Sequence, residues 1–370
     1  MFIEKIELFN VCNPCRITYK TSFGVNRSFD SVIVKMTSGD YVGWGEAAAG
    51  GFPGFSPECA ETAFIIAKKF LVPQILGKDI KSGQELQDLL NIYRGNQFPK
   101  AALDMAWWNL YSQMQDKPFY KVIGGIRDEV TAGTAIGVLD NLDMLMEKID
   151  GFVKSGYPRI KLKYCPGWGL EMVAAVRSHF PDTVFHIDCN SAYTLADTNM
   201  FKKLDKYNLA MIEQPLAYDD LIDHAELQRK IATPICLDES INSPDKARKA
   251  VKIGACKFVN IKHARVGGIT NALKVNEICA DANIPCWIGG MGESSLGVNV
   301  GISLATLPNI GYPSDITPSG KFYEHDLCTP ITDNPRPGIF CPRQTSGIGT
   351  VPDLEVLKKR TLQKFSIANK

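Results

Sequence analysis

Apolar and polar positions fall into two regimes that meet near residue 130. Before it, segments 1–9, 16–20 and 30–36 are short alternating or β-rich runs. The pattern resumes over 40–44 after the turn Ser38-Gly39-Asp40, which predicts a small antiparallel meander. Helical periodicity then takes over at 57–72, 82–94 and 100–115. In the last of these, Ala102, Met105, Ala106, Trp108 and Leu110 recur as in a buried helix, which Lys117-Pro118 and Gly124-Gly125 end. Strands in one run and helices in the next predict an α+β module.

From about 131 onward, short apolar runs alternate with helix-sized intervals. The strand candidates are 131–138, 158–163, 183–188, 208–213, 233–238, 257–262, 284–289 and a weaker run at 310–316. Parallel strands need crossovers of this length, and eight of them predict a (β/α) barrel. The alternative, a doubly wound open sheet, lacks a GxGxxG after its first strand.

The strands end on Lys163, Asp188, Glu213, Asp238 and Lys262, at intervals of 25, 25, 25 and 24 residues. One βα unit occupies about that length, so these side chains stand at equivalent strand tips, which converge on the active-site face of a closed barrel. A single charged strand end is commonly a solvated cap. Five at one period, ordered Lys-Asp-Glu-Asp-Lys, point to a built site. Three crowded carboxylates repel unless protonated or neutralised, and hard oxygen donors favour Mg2+, then Mn2+, over zinc. The flanking lysines are candidates for proton transfer from two sides. Removing a proton beside a carboxylate creates an enediolate whose growing charge a metal stabilises. Lys161, two residues before Lys163, faces the same side and lies deeper in the barrel.

Composition narrows the remaining classes. Lys+Arg 41 against Asp+Glu 40 leaves a net charge of +1, which gives no overall pull toward nucleic acid or anionic membrane. With 45% hydrophobic and 22% charged residues the chain reads as globular. No basic stretch leads into an apolar run at the start, and no run is long enough to span a bilayer. Eleven cysteines, an odd number without a secretion signal, fit reduced thiols in the cytoplasm. Cys12 and Cys15 form a CxxC without the second pair that zinc requires, so they read as ordinary thiols. None of the five histidines pairs at i, i+4, which leaves no helical zinc site.

The residues also carry a resemblance. KLK at 161–163, RIKLKYCPGWGLE (159–171), HIDCNSAYT (186–194), MIEQPLAYDDLIDHAELQ (211–228), TPICLDESI (233–241) and NIKHARVGG (260–268) resemble the enolase superfamily. Within it they are similar to the muconate-lactonizing subgroup and its o-succinylbenzoate synthase and N-acylamino-acid racemase branch. TSFGV (21–25), VGWGE (42–46), KAALDMAWWNLY (100–111) and KPFYKVIGG (117–125) extend the likeness, with GGMGES (289–294) and SDITPSG (314–320) fitting less completely. The resemblance implies an α/β protein with a modified (β/α)7β TIM barrel over 129–328. An α+β capping domain would form from 1–128 and a returning segment 329–370. It implies Asp188, Glu213 and Asp238 as Mg2+ ligands and Lys163 and Lys262 as acid/base lysines. Lys161, Asn190, Glu239, Arg265 and Glu293 would support the site. Two cap loops, about 18–26 and 48–57, would close over the substrate, with Thr21, Phe23, Phe52 and Phe55 as contacts. Family members form dimers or octamers, so a homo-oligomer is expected.

One departure touches the substrate. Where the branch carries a Glu, a small residue and then Gly-Ile-Gly-Arg, this chain reads Gly292-Glu293-Ser294-Ser295-Leu296-Gly297-Val298-Asn299, with Val298 at the arginine and Val300 and Gly301 at the polar positions that follow. Losing that cation questions a succinyl substrate but leaves the proton chemistry intact. Asp315-Ile316-Thr317 lacks the Asp-x-Asp of a dipeptide epimerase, and Gly-Phe-Pro-Gly-Phe at 51–55 hints at a different cap pocket. The expected activity is α-proton abstraction from a small carboxylate, leading to syn-dehydration (a lyase) or to racemisation of an N-acylamino acid (an isomerase). The alternatives are a cycloisomerase or epimerase of another carboxylate, a Schiff-base lysine enzyme, and a binding barrel without turnover.

Overall fold

The computed structural model of the protein describes residues 1–21 and 24–369, and among these the side chains of all but 17–21 and 24–26. The N-terminal region builds a four-stranded antiparallel sheet in the order Thr361–Ala368, Lys5–Val11, Ser31–Ser38, Tyr41–Ala47. The edge strand comes from the far end of the chain, Lys5 pairing with Ala368 and Val11 with Thr361. A separate hairpin, Pro14–Thr21 with Gly24–Ser28, is inserted between the first and second of the N-terminal sheet strands. The expected meander is therefore split, and its second expected strand, 16–20, belongs to that hairpin.

Helix Gln97–Met114 packs across the sheet and starts three residues before the periodicity indicates. The cause is distant in sequence: the Glu58 carboxylate accepts from the backbone N–H groups of Gln97 (2.8 Å) and Phe98 (3.2 Å), satisfying donors that a helix start leaves open. Two glycines of the VGWGE string let the helix lie directly on strand backbone. A Cβ on Gly43 would stand 2.2 Å from the carbonyl oxygen of Ala106, and one on Gly45 2.0 Å from that of Ala102.

The second region holds seven parallel strands in sequential order, Thr134–Ile136, Ile160–Lys163, Phe185–Asp188, Ile212–Glu213, Ile235–Leu237, Phe258–Ile261 and Cys286–Ile288. Residues 309–315 take the eighth place. Gly311 and Asp315 donate to the carbonyls of Cys286 and Ile288 on one side, while Ser314 donates to Thr131 and Gly133 to Ser314 on the other. Both edges of the sheet are thereby joined through one segment, so the strands close into a barrel. Its floor is filled by Met211, Cys236 and Trp287 with Tyr312 against them.

Two carboxylates from the N-terminal region start two barrel helices. Asp104 accepts from the backbone N–H (3.0 Å) and hydroxyl (2.7 Å) of Thr270, at the head of helix Ile269–Asp281. Glu46 accepts from the Ser294 N–H (3.1 Å) and hydroxyl (2.7 Å) and from the Gly297 N–H (3.0 Å), at the head of helix Ser295–Ala305. The carboxyl oxygens satisfy N–H donors that helix starts leave open, and here they also dock one layer on the other. Among the described residues no helix is long and apolar enough to cross a membrane.

Candidate active site

The strand register explains how the five charged residues meet. Lys163 pairs directly with Asp188 and Asp188 with Glu213, so these side chains share one face at one level. Glu213 pairs with Cys236, which leaves Asp238 two residues further along its strand, on the same face and one layer higher. Even spacing along the chain thus produces a stepped ring.

The cluster is buried and ion-paired. Lys161, 4% exposed, reaches Asp188 Oδ2 (2.9 Å), both oxygens of Glu213 (3.1 and 2.9 Å) and Asp315 Oδ2 (3.6 Å). It stands deeper than Lys163, as the two-residue period requires. Lys163 donates to Asp188 Oδ2 (2.7 Å) and to the Asn190 side-chain oxygen. Lys262 donates to Asp238 Oδ2 (2.8 Å), and Arg265 contacts the other oxygen of that carboxylate. Arg265 also donates to the backbone carbonyls of Ile241 (2.9 Å) and Asn260 (2.6 Å). The Asn190 amide donates to Glu239 Oε1 (3.1 Å).

Burial acts on several groups here. It pushes the Glu239 carboxyl up to about 7, the Asp188 charge adding to the effect, and it pulls the Arg265 guanidinium down to about 9. It would also raise Asp188 and Glu213, but Lys161 together with Lys163 at Asp188, and with His186 and Lys262 at Glu213, holds both below the usual carboxylate range. Burial keeps His186 neutral, at about 4, although its Nε2 stands 3.3 Å from Glu213.

Above the cluster opens a cavity. Lys161, Lys163, Asn190, Lys262 and Glu293 line it, and so do Phe52 and Phe55 from the loop at 48–57. The Lys262 ammonium lies 4.4 Å from the centre of the Phe55 ring. Glu293 accepts from the Met291 N–H (2.7 Å), so its carboxylate shapes its own loop. Asp188, Glu213, Asp238, Glu239 and Arg265 are not on the cavity wall; Lys161, Lys163 and Lys262 pair with the first three. Accordingly, no ready-made group of three or more metal-ligating side chains stands among the described residues. Phe23 and the Thr21 side chain lie outside the described residues.

Sequence reasoning missed several participants. Asn260 donates to Glu213 Oε1 (2.9 Å), and its signal was its place two residues before Lys262 on one strand face. Asp315, read only as part of a missing motif, joins the ion-pair network through Lys161 and Arg159. His263 lines the cavity, buried, with neither ring nitrogen hydrogen-bonded. Phe29 and Phe322 line it as well, from loops that carry no periodic signal.

This fold, with a charged cluster at its strand tips, defines a class, and comparison with known proteins agrees. The chain belongs to the enolase superfamily: residues 144–356 match the enolase C-terminal domain-like family, and residues 5–124 match the mandelate racemase / muconate lactonizing enzyme N-terminal domain. It is an enzyme of that superfamily. Among its relatives, the o-succinylbenzoate synthase of Geobacillus kaustophilus is 39% identical over 360 residues, covering 97% of this chain and 96% of that protein. The N-succinylamino acid racemase of Thermus thermophilus is 36% identical over 370 residues, all of both chains. A solved enolase-superfamily structure from Listeria innocua superposes with a TM-score of 0.95 at 36% identity, covering 100% of this chain and 99% of that one.

Proposed function

We propose that this enzyme removes the α-proton of a carboxylate substrate, with Lys163 and Lys262 as acid and base on opposite sides of the reacting carbon. The observation that carries the reading is their placement. They enter one cavity from the second and sixth strands of an eight-membered ring, with the buried carboxylates on the three strands between. A lysine on each side lets one, as a neutral amine, take the proton while the other, as an ammonium, delivers its own proton to the opposite face. Asn190 and Asp188 orient Lys163, while Asp238 and the Phe55 ring orient Lys262. Phe52 and Phe55 roof the cavity and exclude water from the transferring proton.

The same reading assigns Asp188, Glu213 and Asp238 to Mg2+, with Mn2+ as the substitute. The donor set fits: one buried carboxylate oxygen each of Glu213, Asp238 and Glu239 lacks a hydrogen bond, that of Asp238 lying against Arg265 and that of Glu213 against Lys161 and the neutral His186. Hard oxygens in this number suit a hard divalent ion. When bound, that ion supplies positive charge for the oxygens of the reacting carboxylate. Eleven free thiols support a reducing, cytoplasmic setting.

The relatives' names direct the choice of substrates: the o-succinylbenzoate precursor for dehydration and N-succinylamino acids for racemisation. The test is 1H/2H exchange at the α-carbon of each enantiomer in D2O, with Lys163→Ala and Lys262→Ala alongside. Each variant is expected to lose about 100- to 10,000-fold in exchange on one enantiomer, and the two variants on opposite ones. Full exchange of both enantiomers by Lys262→Ala would refute the two-sided assignment.

A further inference from the structure

The strand register places a second inward-facing row below the charged ring. His186 lies two residues before Asp188 and pairs with Lys161, so it faces the barrel axis one layer down. Its ring is fully buried, with the rings of Trp287 and Tyr312 each 5.7 Å away. Tyr312 sits on segment 309–315, the stretch that closes the barrel. His186 therefore stands between the closing segment and the carboxylates.

The two ring nitrogens have different neighbours. Nδ1 lies 3.0 Å from the Tyr312 hydroxyl. Nε2 is buried, makes no hydrogen bond elsewhere among the described residues, and faces Glu213 Oε2 at 3.3 Å. Burial keeps the imidazole neutral, and it also raises the Tyr312 phenol, which keeps its hydrogen. A neutral imidazole has one donor and one acceptor nitrogen, and a carboxylate only accepts. The hydrogen therefore belongs on Nε2, toward Glu213, and Nδ1 accepts from the Tyr312 O–H. The donors point one way, from Tyr312 through His186 to Glu213.

We propose that His186 and Tyr312 are positioning residues for Glu213: the tyrosine fixes the tautomer of the imidazole, and the imidazole orients the carboxylate for the metal. Glu213 stands on the middle strand of the three that carry carboxylates, so its orientation bears on both neighbours. Asn260 (2.9 Å) and Lys161 (2.9 Å) hold it from other directions. The Lys161 ammonium repels a divalent ion, whereas a neutral donor steadies the carboxylate without adding positive charge. The inference rests on the assignment of Glu213 to Mg2+.

The test is Mn2+ binding to the full chain, stripped with EDTA and dialysed, read by calorimetry. His186→Phe removes both nitrogens and should weaken binding about 10- to 100-fold, the range for losing such a support. His186→Gln keeps an amide N–H donor and should stay within about threefold of the wild type. Tyr312→Phe removes one oxygen and should weaken binding about three- to tenfold, but it should add nothing in the His186→Phe background. Wild-type affinity in a folded His186→Phe would overturn the proposal. So would equal losses in His186→Phe and His186→Gln, which mark a merely structural ring, or additive losses in the double variant. Should His186→Phe fail to fold, Tyr312→Phe decides alone, and wild-type affinity there overturns the proposal. A wild type that binds no Mn2+ would sink the metal assignment and this inference together. Tight wild-type binding that is indifferent to both residues would sink this inference only.

Discussion

Lys161 is where removal of one group should be felt most. Its ammonium makes two ion contacts at 2.9 Å, with Asp188 and Glu213, in a fully buried setting. At an effective dielectric near 20, each contact is worth about 6 kcal/mol. Taking the ammonium out of water returns several kcal/mol, and breaking a buried network by removing one partner typically costs about 3–5 kcal/mol net. Lys161→Met keeps most of the side-chain volume and removes only the charge. Two in-register carboxylates are then left facing each other. In EDTA, the variant should unfold about 4–6 °C below the wild type. Added Mg2+ should narrow that gap, because a divalent ion meets less competition for Asp188 and Glu213 once the ammonium is gone. Thermal unfolding followed by circular dichroism, with and without Mg2+, reads both effects. A variant within about 1 °C of wild type in EDTA would refute the magnitude argument. An unchanged gap in Mg2+ would refute the assignment of these carboxylates to the metal.

Asp104→Asn probes the docking of the two layers. Burial raises the Asp104 carboxyl from its ordinary 3.8 to about 6 in the folded chain, against the hydrogen bonds from Thr270 and Gln87. The folded state therefore holds this proton more tightly than the unfolded one, so the site costs stability above pH 6, and the cost fades as pH falls from 6 toward 3.8. Between about pH 7 and pH 4.5 the wild type should gain about 2 kcal/mol relative to the variant, read by urea unfolding; a pH-independent difference would contradict it. Phe55→Ala removes the ring beside Lys262 and should slow exchange about fivefold on the enantiomer that Lys262 serves, with a smaller effect on the other. Gly45→Ala forces a Cβ into helix backbone and should cost about 3 kcal/mol or more. Gly151→Ala, where a Cβ meets nothing within 4 Å inside helix Leu142–Lys154, should stabilise the chain by about 0.5–1 kcal/mol.

The barrel was legible because each strand is a local apolar run and each crossover has a nearly fixed length. The charged strand tips were legible for the same reason: a period in sequence becomes a ring in space. Their level was not, since the offset at Asp238 depends on barrel stagger, which no local pattern encodes. The edge strand Thr361–Ala368 gave little signal because most of it is exposed and it pairs with residues at the opposite end of the chain. The early start of helix Gln97–Met114 was hidden likewise, its cap being Glu58, about 40 residues away. Lys161 and Lys163 could be placed by parity alone, whereas Phe29, Lys321 and Phe322 reach the cavity on irregular segments whose direction is set by tertiary contacts.

Glu46 ends the string that reaches the head of helix Ser295–Ala305, and the loop bearing Phe52 and Phe55 begins two residues later. The root of that loop is thus bolted to the barrel while its tip overhangs the cavity. Such a lever can be lengthened, shortened or rewritten beyond residue 50 without disturbing its pivot. New substrate ranges could therefore arise in this chain by exchanging a handful of tip residues, with the proton-handling groups untouched below.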